Sequence, residues 1–410
     1  MNVLFVHNNF PAQFRNLAEA LAGNPVHSVA AIGCETARDM GGVRLQRYAS
    51  PKADLSATHP FARRFDLDCR RAEQTLFAAG ALRDVGFTPD LIVAHCGWGE
   101  HLPLRAVFPK ARLAIYCEYY YRAEGQDVNF DEVHGFFGVD GNAGVACLNA
   151  ATLVGLAECD VALSPTEWQR STYPAIFRDK IGVVHEGVDT DIVSPDPLAR
   201  FALPGGRELT RSDEIVTYIS RSLEPMRGFH VFLRALPALL AARPRAEIVI
   251  VGGEQPSYGP PPPEGDDWKS YLLRGALPQL DLARVHFVGR LPYSAYLDLL
   301  RISSAHVYLT FPFVLSWSLI EAMSAGCTIV ASDTAPVREA IEPGVNGLLV
   351  PFHDDAALAR TLAAVLEAPA SHASLGAAAR RTALQRYDRR ACVPRALRLL
   401  GIESSLRLSN

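Results

Sequence analysis

Long apolar runs are missing from this chain. Although 49% of its 410 residues are hydrophobic, none of its apolar stretches approaches the ~18 consecutive residues that span a bilayer. Paired cysteines are missing too. The eight, at 34, 69, 96, 117, 147, 159, 327 and 392, form no CxxC and have irregular spacing, which argues against a disulfide frame or a zinc site and for buried thiols in a reducing compartment. An excess of positive charge is missing as well: 40 Lys and Arg against 44 Asp and Glu, a net −4, leave no electrostatic footprint for nucleic acid. No GxGxxG follows the first strand, which speaks against a dinucleotide oxidoreductase. No Asp-x-Asp falls at a strand end among the pieces that would line a ligand cleft, so no metal is expected. Met1-Asn2 leads directly into VLFVH without a leader segment, so a cytoplasmic location is expected.

What is present is alternation. Short apolar runs, as in NVLFVH, SVAAIG, DLIVAH, ARLAIYCEY and DVALSP, alternate with amphipathic stretches near Gln13–Leu21, Pro60–Val85 and Asn149–Glu158. The pattern restarts with EIVTYIS, AEIVIVGG, VHFVGR and AHVYLT, separated by helical stretches over Gly228–Ala242 and Tyr293–Ile302. It closes with helical stretches over Ala356–Glu367 and near His372–Gln385. Buried parallel strands read this way, and 410 residues exceed one core. The fold class is therefore α/β, with two Rossmann-like domains facing across a cleft. The expected boundaries are 1–195 and 214–385, a linker at 196–213 where SPDP and LPGG break the pattern, and a segment 386–410 returning to the first domain. The proline-rich stretch Gly259–Gly265 reads as a rigid surface insert with no chemistry.

Residues 311–354 carry the densest chemistry. Ser316 and Ser318 precede good helix formers that Gly326 ends. Free amides over Ser316, Trp317, Ser318 and Leu319 at such a helix start suit a phosphate or diphosphate, and Glu321, one turn in, reaches whatever the phosphate carries. The plainer alternative is that Ser318 and Glu321 form a capping box. Arg221 and Arg227 lie six residues apart on a strand-to-helix loop, and arginines make bidentate contacts to phosphate. For a single arginine, a solvated loop position is the commoner case.

The order of these pieces resembles retaining glycosyltransferase family 4, of the GT-B fold. The resemblance rests on Ser220-Arg221, Met226-Arg227-Gly228, Val251-Gly252-Gly253, Val285 to Arg290, Glu321 to Gly326, Ala331-Ser332-Asp333 and Asn346 to Val350. In the first half, a branch of that family is matched by His7 to Phe14, His95 to Glu100, Tyr116 to Tyr121 and Pro165 to Gln169. The resemblance implies that a nucleoside diphosphate sugar is the donor, with no cofactor, and that the acceptor is a saccharide or lipid-linked. It implies that Arg221 and Arg227 hold the diphosphate, that Glu321 bonds the ribose and that the amides near Ser316 to Leu319 touch phosphate, with Arg290 also on the donor side. The family usually has a Glu eight positions before Glu321, reaching the transferred sugar; this chain has Phe313. It usually has Gly-Gly in the first loop; this chain has Asn8, Asn9 and Phe10 at that strand end.

His95, at a strand end beside Gly97 and Gly99, is read as a group that bonds the transferred sugar or moves the acceptor proton. Glu118 at the next strand end is either a general base or a loop tie, and the loop tie is favoured. The Tyr119–Tyr121 trio reads as core before it reads as a sugar platform. Gly187 resembles the family's interdomain hinge. Arg63, Arg64, Arg70 and Arg71 would suit an anionic membrane, but Asp66 and Asp68 favour a solvated face. The reading is a metal-independent glycosyltransferase of polysaccharide or glycoconjugate synthesis. A nucleotide-sugar epimerase and a GT-B binding module without turnover are the alternatives.

Overall fold

The computed structural model describes residues 1–131, 138–255, 257–264, 267–276 and 280–402. Among them the chain divides into two compact units: Met1–Asn129 with the described parts of Phe136–Gly187 and Arg389–Asn410, and Val188–Asp388 with Phe130 and Asp131.

The first unit is built on seven strands, β1 (Asn2–Val6), β2 (Ser28–Cys34), β3 (Val43–Tyr48), β4 (Leu91–His95), β5 (Arg112–Tyr116), β6 (Val161–Ser164) and β7 (Ile181–Val183). They run in the order β3-β2-β1-β4-β5-β6-β7, and every pairing is parallel. Such strands are covered on both faces, which is why VLFV and LIVA are apolar throughout. One face buries Leu4, Ile32, Ile92, Ile115 and Leu156. The other buries Phe5, Phe10, Phe14 and Val93, with Cys392, Val393 and Leu397 of the C-terminal helix Arg389–Leu399.

In the second unit, residues 196–213 carry a hairpin, β8 (Arg200–Ala202) against β9 (Glu208–Thr210). Phe201 and Leu209 on it are buried in that unit's core. Six parallel strands follow: β10 (Ile215–Ser222), β11 (Glu247–Gly253), β12 (Val285–Gly289), β13 (Ala305–Tyr308), β14 (Ile329–Ser332) and β15 (Leu348–Val350), ordered β12-β11-β10-β13-β14-β15.

Each sheet reverses its strand order once, at β1/β4 and at β10/β13. The crevice at the carboxyl ends of such a pair is where open α/β sheets take ligands. The chain passes from the first unit to the second between Gly187 and Val188. Gly187 has φ +87°, and a Cβ there would lie 2.6 Å from Arg389 Cα, so only glycine fits. No helix among the described residues is long and apolar enough to cross a membrane.

Candidate active site

At the β10/β13 switch of the second unit, the chain leaves β10 through Arg221 and enters a single 3-10 turn, Pro225–Arg227. Gly228 then starts the helix Phe229–Ala242 at φ +70°, and a Cβ on it would lie 2.3 Å from Leu309 Cβ. That close approach pulls the Arg227 loop onto the segment after β13. Arg227 Nη1 donates to Thr310 Oγ1 at 2.9 Å and to Val314 O at 3.4 Å. Arg227 is 6% exposed, yet among the described residues neither it nor Arg221 forms an ion pair with a carboxylate. Glu224 acts on Arg227 only at longer range and is committed to Ser257, accepting from its hydroxyl at 2.6 Å and its amide at 3.1 Å. Burying a guanidinium without a counter-ion costs several kcal/mol. A site that bears that cost is prepared for an anion.

Phe313, at the position of the family's Glu, is buried. Its ring lies 5.6 Å from the Arg227 guanidinium and edge-on to Tyr258 at 5.1 Å. Arg290 is exposed and closes over Gly253, where a Cβ would lie 2.7 Å from its Nε. The second glycine of Val-Gly-Gly is thus the space Arg290 occupies.

The helix start differs from both expectations. Ser316 is its cap, accepting from Ser318 N at 3.3 Å, and the helix runs Trp317–Ser324. Glu321 therefore sits too deep for the third-position carboxylate of a capping box. Its Oε1 accepts from the Tyr293 hydroxyl at 2.8 Å and its Oε2 from the Tyr296 hydroxyl at 2.7 Å. The two phenols come from the first turn of the helix Tyr293–Ile302, and sequence reasoning passed over both. Three of the amides expected to meet phosphate already donate inside the protein: Ser316 N to the Tyr308 hydroxyl, Ser318 N to Ser316 Oγ and Leu319 N to Ser316 O. The Leu319 side chain is core, while Trp317 is 42% exposed.

Glu321→Ala leaves two phenols without their acceptor and is expected to cost about 1–3 kcal/mol of unfolding free energy in a urea titration. Glu321→Gln, which keeps one carbonyl acceptor, is expected to cost less than half of that.

At the β1/β4 switch of the first unit, three strand ends deliver His7, His95 and Glu118. His95 is fully buried; its Nδ1 accepts from Gly97 N at 3.0 Å, which leaves the proton on Nε2, 3.3 Å from Glu118 Oε2. Glu118 Oε1 accepts from Gln13 Nε2 at 2.7 Å, and only its backbone carbonyl serves as a loop tie, to Gln169. The side chain thus belongs to a polar cluster, contrary to the favoured loop role. Burial raises the Glu118 carboxyl, but His95, Gln13 and His7 outweigh it and hold the group below the ordinary carboxylate value. His7, whose ring is 5.0 Å from that of His95, is pushed down to about 3, first by burial and then by the repulsion a second proton beside His95 would meet, so it is neutral.

Phe10 does not face a cleft: it is fully buried and packs on Phe5 at 6.2 Å. Asn8 and Asn9 close their own loop. Asn9 N donates to His7 Nδ1 at 2.9 Å, and Asn8 O accepts from Cys34 N at 2.8 Å. The tyrosine trio packs as expected, with the Tyr119 hydroxyl donating to Asp127 at 2.6 Å. The four helix arginines divide. Arg64 and Arg71 turn in to the buried Asp68 and lie against Trp98 at 5.1 and 5.5 Å, so they do not add to a membrane-facing stripe.

Residues 25–193 match the model of the glycosyl transferase family 4 group, and residues 206–382 that of the glycosyl transferases group 1. Each half of the chain thus matches a glycosyltransferase model. It is 32% identical over 212 residues to a D-inositol 3-phosphate glycosyltransferase of Streptomyces scabiei, covering 49% of this chain and 44% of that one. It is 33% identical over 165 residues to a phosphatidyl-myo-inositol mannosyltransferase of Mycolicibacterium smegmatis, covering 38% and 37%. The chain thus spans less than half the length of these curated relatives. Sucrose-phosphate synthase from Thermosynechococcus elongatus superposes with a TM-score of 0.73 at 16% identity, over 97% of this chain and 98% of the synthase. Anabaena HepE in complex with UDP-glucose superposes at 0.68 and 16%, over 98% and 99%. The fold is GT-B.

Proposed function

We propose that this chain is a retaining glycosyltransferase of family 4 that moves a sugar from a nucleoside diphosphate donor to a saccharide or lipid-linked acceptor, in polysaccharide or glycoconjugate synthesis. The observation that carries the reading is the buried Arg227 guanidinium, without a carboxylate partner among the described residues, at the β10/β13 switch beside Arg221. When a sugar leaves a diphosphate, negative charge builds on the bridging oxygen. Two guanidiniums, the buried Arg227 held by Thr310 and Val314 and the exposed Arg221 beside it, would stabilise that charge without a proton transfer. Arg221 and Arg227 would hold the diphosphate, and Glu321, between two phenols, would accept from the ribose hydroxyls. On the first unit, the acceptor would meet His95 and Glu118. The departing phosphate would take the acceptor's proton, so no carboxylate nucleophile is required.

Relatives act on inositol 3-phosphate and on phosphatidylinositol by their names, which supports either a soluble or a lipid acceptor. HepE was captured with UDP-glucose, which makes uridine donors the first to try. The test is thermal stabilisation by a panel of nucleoside diphosphates and their sugars. One diphosphate is expected to raise the melting temperature selectively, and Arg221→Ala is expected to abolish the rise. Indifference to the whole panel would remove the reading.

A further inference from the structure

Tyr258 belongs to no motif of the sequence, and it lies beyond the end of β11 at Gly253. Its backbone is nonetheless placed with care. Glu224, 1% exposed, accepts from Ser257 Oγ at 2.6 Å, from Ser257 N at 3.1 Å and from Tyr258 N at 3.4 Å. Glu224 also opens the turn that carries Arg227, accepting the Arg227 amide through its carbonyl at 3.1 Å. One buried carboxylate therefore fixes the Tyr258 backbone to the Arg227 turn.

The Tyr258 ring is the meeting point of both guanidiniums. Arg227 Cζ lies 5.1 Å and Arg221 Cζ 5.8 Å from its centroid, and the Phe313 ring braces it edge-on. Two like charges are not held near one another without compensation. No carboxylate pairs with either among the described residues, and the negative face of the ring attracts both. The ring is 41% exposed, so core packing does not account for its position.

We propose that Tyr258 is a positioning residue for the donor diphosphate: its ring gathers Arg221 and Arg227 into one preformed anion clamp, and Glu224 sets the ring's place. This rests on the donor-site reading above. Holding the clamp together before the anion arrives removes an ordering cost from binding. The Tyr258 hydroxyl also bonds the Arg227 guanidinium, so the aromatic face and the hydroxyl share the role.

The experiment is isothermal titration of the full chain with UDP, GDP, ADP, CDP and TDP, and with the matching nucleosides, for wild type, Tyr258→Phe and Tyr258→Ala. With the diphosphate that wild type binds, Tyr258→Ala is expected to lose about tenfold in affinity, the scale of two cation–π contacts. The nucleoside is expected to bind unchanged, and Tyr258→Phe, which keeps the ring and loses the bond to Arg227, to fall between Tyr258→Ala and wild type. An unchanged or tighter diphosphate in Tyr258→Ala overturns the proposal, as does an equal loss for diphosphate and nucleoside. If wild type binds none of the five diphosphates, the donor-site reading itself fails and takes the clamp with it, an outcome visible before any variant is measured.

Discussion

Arg227→Met is expected to lower turnover by about two to three orders of magnitude, the usual cost of deleting one fixed donor to developing charge, without lowering the midpoint of urea unfolding. The two halves of that result need each other. A buried arginine ordinarily serves stability through a carboxylate partner, and removing it then strands the partner at a cost of about 3–5 kcal/mol. Arg227 has no such partner among the described residues; it donates to neutral groups, Thr310 Oγ1, Val314 O and the Tyr258 and Tyr308 phenols. Methionine is close in length and removes a desolvated charge, so the substitution is neutral or mildly stabilising by the same reasoning. Turnover is measured with the donor that the thermal titration selects. Loss of folding alongside activity would make Arg227 a structural residue, and near-normal turnover would remove it from the reaction.

Arg227 was readable from sequence because its signal is local: a strand, a six-residue spacing from Arg221 and a glycine that starts a helix. The strands were readable for the same reason, since burial on both faces writes an apolar run wherever it occurs. What escaped reading was set by pairs far apart in the chain. Glu321 with Ser318 matched a capping box in spacing, but Ser316 took the cap and phenols 25 and 28 residues away took the carboxylate. Tyr258 was passed over beside a proline-rich insert, because nothing local shows that Glu224, 34 residues back, holds its amide. Of that insert, Gly265 lies outside the described residues, while Pro260 O accepts from Trp268 Nε1 at 2.9 Å. Phe10 was assigned to a cleft from its loop position. An aromatic in a loop at a strand end is as free to turn inward, and Phe5 and Phe14 complete its packing. Glu118 was given a loop role because its partners, Gln13 and His95, come from two other strand–helix connections. Helix and strand periodicity carries no information about such encounters.

The three neutral histidines lead to the second large effect, which is on stability. His7 is pushed down to about 3 by burial and His95, and His101 and His306 to about 4, mainly by burial. All three are at most 4% exposed. In the unfolded chain each takes a proton near 6.5, and in the folded chain each refuses it until far lower pH. The unfolded state thus binds more protons throughout that window. Stability is fully present above about 6.5 and falls with pH below it. Between pH 7 and pH 5 each group removes about 2 kcal/mol, from 1.36 kcal/mol per unit. His7 and His101 lie in the first unit and His306 in the second, so the second is expected to lose about 2 kcal/mol and the first up to about 4, less the part returned by His95, which Glu118 holds above its ordinary value against the effect of burial. Losses of that size are a large part of a domain's 5–15 kcal/mol. Amide hydrogen exchange at pH 7, 6 and 5, corrected for intrinsic rates, reads the two units separately. Protection in β1 and β4 should fall before that in β10 and β13. Equal protection at pH 7 and pH 5 would mean that these imidazoles accept protons without unfolding, and that the burial seen here does not govern them.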